Sequence, residues 1–269
     1  RMRFTLFILV VLMAVGCAQE PTADTIAVKE ILIQDTLKVD TISLEKFDPP
    51  PVGELEAYLI EAGLIDVQSV VPGVMVDLKY STDDNFMGFD MYGDLTKCYL
   101  QPDVAEKLIK AQEYLQEKDS TLTLLIYDGV RPRSVQQMMW DTLDMPINEK
   151  VKFVSNPAKG SLHNFGAAVD ITIARIEDGE ALDMGAPYDH IGIEAWPIKE
   201  KQMVEEGRIS EESVENRKLL RRSMRAGGFF NIQSEWWHFN SCYRKEAIEL
   251  YQMVEGLSDK EAMELIASL

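Results

Sequence analysis

The residues best suited to chemistry are histidines with carboxylates close by in the sequence. The chain has three histidines. One of them, His163, is followed seven residues later by Asp170, and the run Glu-Trp-Trp-His ends at His238. A catalytic zinc ion takes three protein ligands from imidazole nitrogens and carboxylate oxygens, and its fourth position stays open for water. We therefore predict that His163, Asp170 and His238 bind one zinc ion.

Two charged residues could complete hydrolytic chemistry around such an ion. Glu235 lies three residues before His238 and could take a proton from the attacking water and pass it to a leaving amine. Arg131 follows a predicted central strand and could face a tetrahedral oxyanion. Each feature alone is commonplace, because Glu-x-x-His is more often a surface ion pair and a lone arginine is usually exposed. The prediction therefore depends on the combination.

The remaining histidine and the paired tryptophans have simpler interpretations. His190 adjoins Asp189, and we expect a structural role or a place at the rim of the site, because three metal ligands are already assigned. Trp236 and Trp237 are expected to belong to the core or to a pocket wall.

The elements that must position these residues mix helices and strands without a regular βαβ repeat, which favours an α+β fold in a single domain. The β-rich run 121–127 predicts a central strand that ends just before Arg131, and 169–173 predicts a second core strand beginning next to Asp170. Further patterns predict a strand near 74–80 and helices at 53–63, from Pro102, at 211–226 and from Ser258.

Composition sets limits on the function. With 269 residues, 46% of them hydrophobic, the chain can build a substantial core. The formal charge of -18 disfavours nucleic acid as a partner, because phosphates are bound by lysine and arginine. Three cysteines are too few for a disulfide scaffold. Cys98 and Cys242 could pair or remain as buried free thiols, and both alternatives stay open.

The first residues have the pattern of an export signal. Arg1 and Arg3 precede the apolar run 4–15, which ends at Gly16 and Cys17 and is too short for a comfortable membrane span. The stretch resembles a bacterial lipobox, with Ala14 where leucine is usual, so Cys17 is predicted to carry a lipid. In the alternative, the segment is an ordinary signal peptide and the cysteine is incidental.

These patterns divide the chain into three parts. Residues 1–17 are predicted to be a lipoprotein-type signal peptide, 18–52 a tether that ends in a proline-rich stretch, and 53–269 the catalytic domain. The alternating residues of the tether could instead form an added edge strand. The predicted location is that of an exported lipoprotein, facing the periplasm or exposed on the outer surface.

Three segments resemble those of the D-alanyl-D-alanine dipeptidase family, within the zinc DD-peptidases that share a fold with the hedgehog signalling domain. The resemblance runs from about residue 66 to 250 and implies a mainly antiparallel central sheet flanked by helices. The segments are Asp128-Gly129-Val130-Arg131-Pro132, Ser161-x-His163-x-x-Gly166-x-Ala168-x-Asp170 and Glu235-x-Trp237-His238. Val130 stands where the family often has tyrosine.

The resemblance also implies a role for each site residue. His163, Asp170 and His238 match the family's zinc ligands. Glu235 matches its general base and Arg131 its transition-state-stabilising arginine.

Substrate recognition follows from the same resemblance. Ser161 matches the residue that receives the substrate carboxylate, and Asp189 with Tyr80 matches the pocket for the free amino terminus. A dipeptide is a zwitterion whose two charged ends define its length, so an anionic Asp189 would disfavour longer peptides.

The predicted function is hydrolysis of free D-alanyl-D-alanine in cell-wall turnover or scavenging, with one zinc ion per chain. The predicted partners are the dipeptide and, through the lipid anchor, a membrane. Two alternatives remain. One is a zinc DD-carboxypeptidase or endopeptidase acting on peptidoglycan stem peptides. The other is a non-catalytic lipoprotein that binds wall peptides, although it would not require both Glu235 and Arg131.

Overall fold

The computed structural model describes residues 53–151 and 154–256. The predicted signal peptide, the predicted tether and the helix expected from Ser258 lie outside the described residues. Within the described ranges, no helix is both long enough and apolar enough to cross a membrane.

Seven α-helices form within the described ranges. The longest two were predicted from the sequence and have clear starting signals. One begins with Pro102 in its first turn, and the other begins after Ser210, whose side chain accepts a hydrogen bond from the Ser213 amide. The helices are α1 (Glu54–Glu61), α2 (Pro102–Lys118), α3 (Arg133–Thr142), α4 (Ile147–Lys150), α5 (Glu200–Glu205), α6 (Glu211–Ala226) and α7 (Arg244–Leu250).

The strands form a five-stranded sheet and a separate antiparallel pair. The strands are β1 (Ile65–Asp66), β2 (Met75–Val76), β3 (Tyr99–Leu100), β4 (Leu122–Asp128), β5 (Ala168–Arg175), β6 (Phe230–Asn231) and β7 (His238–Asn240). The pair consists of β1 and β3. The large sheet has the order β2-β4-β5-β7-β6, in which only β2 and β4 are parallel. This arrangement confirms the predicted α+β fold with a mainly antiparallel sheet.

The strand expected near 74–80 is shorter than predicted. β2 ends at Val76, and the chain then forms a 3₁₀ turn at Lys79–Ser81. The carbonyl of Tyr80 accepts hydrogen bonds from the amides of Met91 and Tyr92 instead of from a strand partner. The turn buries the Tyr80 side chain, so local tertiary contacts override the β pattern here.

The central strands are held from one side by α2. All seven residues of β4 are buried, and α2 packs against both β4 and α6. Gln112 of α2 fixes this contact with its whole amide group, since its Nε2 donates to Thr123 Oγ1 at 2.8 Å and its Oε1 accepts from the Leu124 amide at 2.9 Å. A buried amide with both ends paired stabilises one position of the helix on the sheet.

The register of the sheet places three polar residues in one row. Asp128 of β4 lies opposite Asp170 of β5, and Asp170 lies opposite His238 of β7. Directly opposed residues of antiparallel strands project from the same face. The pairing of β4 with β5 is irregular between Ile126 and Asp128, which is typical of a bulge at the edge of a functional site.

The chain leaves β4 through a tightly packed glycine. A Cβ atom at Gly129 would overlap Cys98 Sγ and approach the Tyr99 carbonyl oxygen to 3.0 Å. Cys98 and Cys242 are both buried free thiols, so of the two alternatives left open by the sequence the structure confirms the unpaired one.

Candidate metal centre

Three side chains meet at one point, and two of them come from the polar row. We call them the His-Asp-His cluster (His163, Asp170 and His238). His163 Nε2 lies 3.1 Å from His238 Nδ1 and 3.3 Å from Asp170 Oδ1, and His238 Nδ1 lies 3.0 Å from Asp170 Oδ1. Tetrahedral zinc ligands bound at about 2.0–2.1 Å are about 3.3 Å apart. The spacing therefore fits three ligands of a single ion, with a fourth position left over.

The far nitrogens of both imidazoles are held by oxygen acceptors. His163 Nδ1 lies 2.7 Å from the Gly129 carbonyl oxygen, and His238 Nε2 lies 2.9 Å from Asn240 Oδ1. These acceptors favour a proton on the far nitrogen, which leaves the nitrogen that faces the cluster with a free lone pair. Two lone pairs and a carboxylate that face each other require a cation between them, so the donor set fits a metal.

Protons and a metal ion compete for the same ligand atoms of the cluster. Burial opposes a charge on His238, but its hydrogen bond to Asp170 outweighs this effect and raises the pKa of His238 to about 9. Burial likewise opposes the Asp170 carboxylate, yet the two imidazoles hold the pKa of Asp170 well below its usual range. A metal would therefore displace a proton from His238 when it binds.

The loop that carries His163 depends on a left-handed glycine. The 3₁₀ turn His163–Phe165 ends at Gly166, which has φ +63°, and a Cβ atom there would lie 2.9 Å from Leu64 Cδ2. The chain can thus return directly into β5 and to Asp170. The Asn164 side chain donates to the Arg131 carbonyl at 2.7 Å, which joins this loop to the end of β4.

Arg131 is a largely buried cation with a side chain only 11% exposed, so it is not an exposed surface arginine. Its Nε and Nη2 donate to Asp128 Oδ2 at 3.0 and 2.6 Å, and Nη2 also lies 3.4 Å from Asp170 Oδ2. The guanidinium carbon lies 4.7 Å from the centre of the Tyr80 ring. Burial lowers the pKa of Arg131, but Asp128 outweighs burial and keeps the pKa above its ordinary value.

Asp128 is a site residue that sequence reasoning did not assign. It is completely buried, and besides the arginine it accepts a hydrogen bond of 2.7 Å from the Tyr92 hydroxyl. Its position three residues before Arg131, within a recognised segment, was the available signal. No spacing pattern pointed to Tyr92.

Glu235 lies beside the cluster without belonging to it. Its Oε2 is 3.9 Å from His238 Nδ1. Burial raises the pKa of Glu235 against the opposing effect of His238, which brings the carboxyl closer to the range of a general base at neutral pH. The chain bends on both sides of Glu235, at 233–234 and 236–237, and does not form a helix there.

Tyr80 and Asp189 come together as the sequence suggested. The Tyr80 hydroxyl lies 3.2 and 3.1 Å from the two carboxylate oxygens of Asp189. Burial and the charge of Asp170 raise the pKa of Asp189 to about 8, although Arg131 and Tyr80 act in the opposite direction. A carboxyl in such surroundings gains strongly from a cationic partner.

Tyr188, the neighbour of Asp189, joins this pair to the cluster. Its hydroxyl donates to Asp170 Oδ2 at 3.0 Å, and its ring packs edge-on against Tyr80 and Trp237. Sequence analysis assigned no role to Tyr188. Its hydrogen bond orients the Asp170 carboxylate, as residues that contact metal ligands without binding the metal commonly do.

Ser161, a predicted site residue, and His190, which was expected to have a structural or rim role, make their described contacts outside the cluster. The Ser161 hydroxyl donates to Gln136 Oε1 at 3.0 Å, and its described contacts do not include the three cluster residues. His190 lies 3.2 Å from Glu194 and outside the cluster, as expected. Trp236 and Trp237 are buried in the core.

The cluster is suited to a metal-dependent peptidase, and comparison with known proteins identifies the class. Residues 60–253 match the sequence profile of a peptidase family described as D-ala-D-ala dipeptidase. Because this match covers well over half of the chain, the chain belongs to that family and is a hydrolase.

Individual relatives agree with the family match. A D-alanyl-D-alanine dipeptidase of Escherichia coli K12 is 35% identical over 176 residues, which are 65% of this chain and 83% of the relative. Its namesake in Enterococcus faecium is 29% identical over 194 residues, 67% of this chain and 92% of the relative. The same enzyme of Streptomyces coelicolor is 29% identical over 187 residues, 64% and 88% of the two chains. The resemblance inferred from the sequence is thus confirmed, and neither alternative function is favoured.

Metal analysis tests the cluster directly. His163→Ala should lose bound zinc, because one of three ligands is removed. Asn240→Ala should weaken zinc binding by about 10- to 100-fold, because the orienting acceptor of His238 is lost. His190→Ala is the matched control and should keep its metal. Full zinc content in the His163 variant would contradict the assignment.

Proposed function

We propose that the chain hydrolyses the amide bond of free D-alanyl-D-alanine with one zinc ion bound by His163, Asp170 and His238. The observation that carries the proposal is the set of ligand-atom separations, 3.0 to 3.3 Å, around one point. The names of the relatives supply the substrate.

Glu235 is the proposed general base. Zinc, when bound, would polarise the substrate carbonyl and lower the pKa of a water molecule beside it. Glu235 accepts the proton of that attacking water and then donates it to the leaving amine. Its carboxylate is close enough to His238 to reach the water, and its raised pKa suits both directions of proton transfer.

Arg131 is the proposed partner of the oxyanion. The guanidinium is held in place by Asp128 and by the Tyr80 ring before any substrate binds, so it needs no reorganisation during the reaction. Preorganised donors of this kind are effective because they already face the position where charge develops. Its distance of 3.4 Å to Asp170 Oδ2 supports a place at the edge of the ligand set.

The two ends of the dipeptide are proposed to bind to opposite partners. Asp189 and Tyr80 take the ammonium group, because Asp189 is a poorly solvated carboxyl that gains from a cation. Ser161 takes the carboxylate through its hydroxyl. In the structure that hydroxyl donates to Gln136 Oε1, so it must turn from Gln136 to donate to the substrate carboxylate. Gln136 is itself fixed by a hydrogen bond of 2.7 Å to the Ser155 carbonyl.

We further propose that the chain is exported and lipidated at Cys17. The support is the basic, apolar and small-residue order of residues 1–17, which is followed by the stretch 18–52 with the composition of a tether. An exported enzyme would act on dipeptide released from the cell wall, which favours scavenging over removal of a cytosolic pool.

Lipidation predicts a labelled, membrane-bound protein. In a bacterial host fed radioactive fatty acid, the full chain should carry label and sediment with membranes. Cys17→Ser should abolish the label and release the protein. The anchor proposal is wrong if the label persists in Cys17→Ser. It is also wrong if the full chain takes up no label and stays in the cytosol.

Glu235 and Arg131 should both matter for turnover and not for metal content. Glu235→Ala should keep zinc and lower kcat by about a hundred- to ten-thousand-fold, as expected for loss of a general base. Arg131→Ala should lower kcat by a factor that corresponds to about 3 kcal/mol of activation free energy, the usual effect of removing an oxyanion donor. Steady-state kinetics together with metal analysis check both. If Arg131→Ala raised only KM, the arginine would be a binding residue.

Substrate length tests Asp189. N-acetyl-D-Ala-D-Ala presents an amide in place of the ammonium and so cannot make the charge-assisted hydrogen bond with Asp189, a loss of about 2–5 kcal/mol. The parent should therefore cleave it about thirtyfold to several thousandfold more slowly than D-Ala-D-Ala. Asp189→Asn should reduce the difference in rate between the free and the N-acetylated dipeptide. Asparagine is chosen because it tolerates the φ of +57° at this position. Equal rates on both substrates in the parent would indicate a carboxypeptidase or endopeptidase instead.

A further inference from the structure

Arg217 is a completely buried arginine in the middle of α6 whose contacts lie away from its own helix. Its Nε donates to the Met184 carbonyl and its Nη2 to the Glu194 carbonyl, each at 2.7 Å. These two carbonyls bracket the segment 184–194, which carries Tyr188 and Asp189. One guanidinium thus fastens both ends of the segment that is proposed to recognise the substrate amine.

The same guanidinium reaches the neighbourhood of the proposed general base. It lies 6.0 Å from the centre of the Trp236 ring, next in sequence to Glu235. The Trp236 indole in turn donates to the Ala186 carbonyl at 3.0 Å, inside the bracketed segment. Arg217, Trp236 and segment 184–194 therefore form one packed unit behind the site.

Segment 184–194 needs such anchors because it has little regular structure. Its only helical turn is the 3₁₀ turn Ile193–Ala195 at its end. Asp189 is the one non-glycine residue with a positive φ among the described residues, at +57°. A non-glycine residue in this conformation persists only where its surroundings hold it, and strain of this kind clusters at ligand-binding positions.

A buried arginine is not explained by core stability. Taking a guanidinium out of water is costly, and a well-packed apolar side chain commonly gives equal or better stability. The nearest counter-charge, Glu200 Oε1, is 3.6 Å from Nη1, and Nη1 has no hydrogen-bond partner among the described residues. What arginine offers here is a rigid planar fork that can donate to two carbonyls at once.

We propose that Arg217 is a positioning residue for amine recognition, and that it sets the preference for free dipeptides by fixing segment 184–194 so that Asp189 faces the substrate ammonium. The proposal rests on the proposed function, since it concerns the substrate of the same site. Arg217 itself contacts neither the His-Asp-His cluster nor Asp189 in the described structure.

The chain provides a matched control one helical turn further on. Arg221 donates to both carboxylate oxygens of Glu200 at 2.7 and 2.8 Å, so it shares a counter-ion with Arg217. Its described hydrogen bonds do not include the carbonyls of segment 184–194. Arg221→Met therefore removes a partly buried cation from the same helix without releasing the segment.

The test compares Arg217→Lys, Arg217→Met and Arg221→Met in the zinc-loaded full chain. Lysine keeps the charge but cannot bridge both carbonyls, so Arg217→Lys decides the matter if Arg217→Met fails to fold. Both Arg217 variants should raise KM for D-Ala-D-Ala by about tenfold or more and reduce the preference over the N-acetyl form by a similar factor, as expected when a charge-assisted hydrogen bond is misplaced. Zinc content should not change, and Arg221→Met should keep the parent's preference.

Amide hydrogen exchange gives a readout that needs no substrate. Exchange in segment 184–194 should be faster in Arg217→Lys than in the parent or in Arg221→Met. Unchanged exchange, or a preference for the free dipeptide that survives in Arg217→Lys, overturns the proposal. If the parent hydrolyses neither dipeptide, the proposed function fails, and the exchange comparison alone decides whether Arg217 holds the segment.

Discussion

The register of β4, β5 and β7 is the constraint on which the rest of the site depends. It sets Asp128, Asp170 and His238 in one row across three strands. Because side chains alternate between the two faces of a sheet, a slip of one residue in either pairing would turn part of this row away from the site. The buried pairing of β4 with β5 and the Gln112 bonds from α2 oppose such a slip. The packing that fixes the register of the core therefore also fixes the geometry of the site.

The row brings charges together that none of the segments could bury alone. Asp128 is compensated by Arg131, and Asp170 lies against both imidazoles of the cluster. Breaking one member of a buried charge set is much more costly than replacing the whole set, because it leaves the others without partners. Tyrosine hydroxyls on both sides donate to the carboxylates of the site. These donors are Tyr80, Tyr92 and Tyr188.

The sequence predicted residue types and local elements well, and cross-strand partners poorly. The long helices and both central strands could be predicted from local sequence patterns, and the residues of the His-Asp-His cluster lie in recognisable segments. Asp128, Tyr188 and Asn240 received no role, because each acts through a partner that only the register or a loop contact brings near. The strand near 74–80 was overestimated for a similar reason, since its β pattern continues past the point where Tyr80 turns into the core. A pattern in sequence describes neighbours along the chain, whereas this site is made between distant segments.

The two buried thiols have a consequence for the conditions under which the described residues can fold. Cys98 lies beneath Gly129 and Cys242 follows β7, and both are unpaired. Within the described ranges the fold is thus held by packing, hydrogen bonds and ion pairs, whose free energies do not depend on the redox potential of the surroundings. The described residues therefore need no oxidant to reach their packed state, and a reducing agent should leave that state intact.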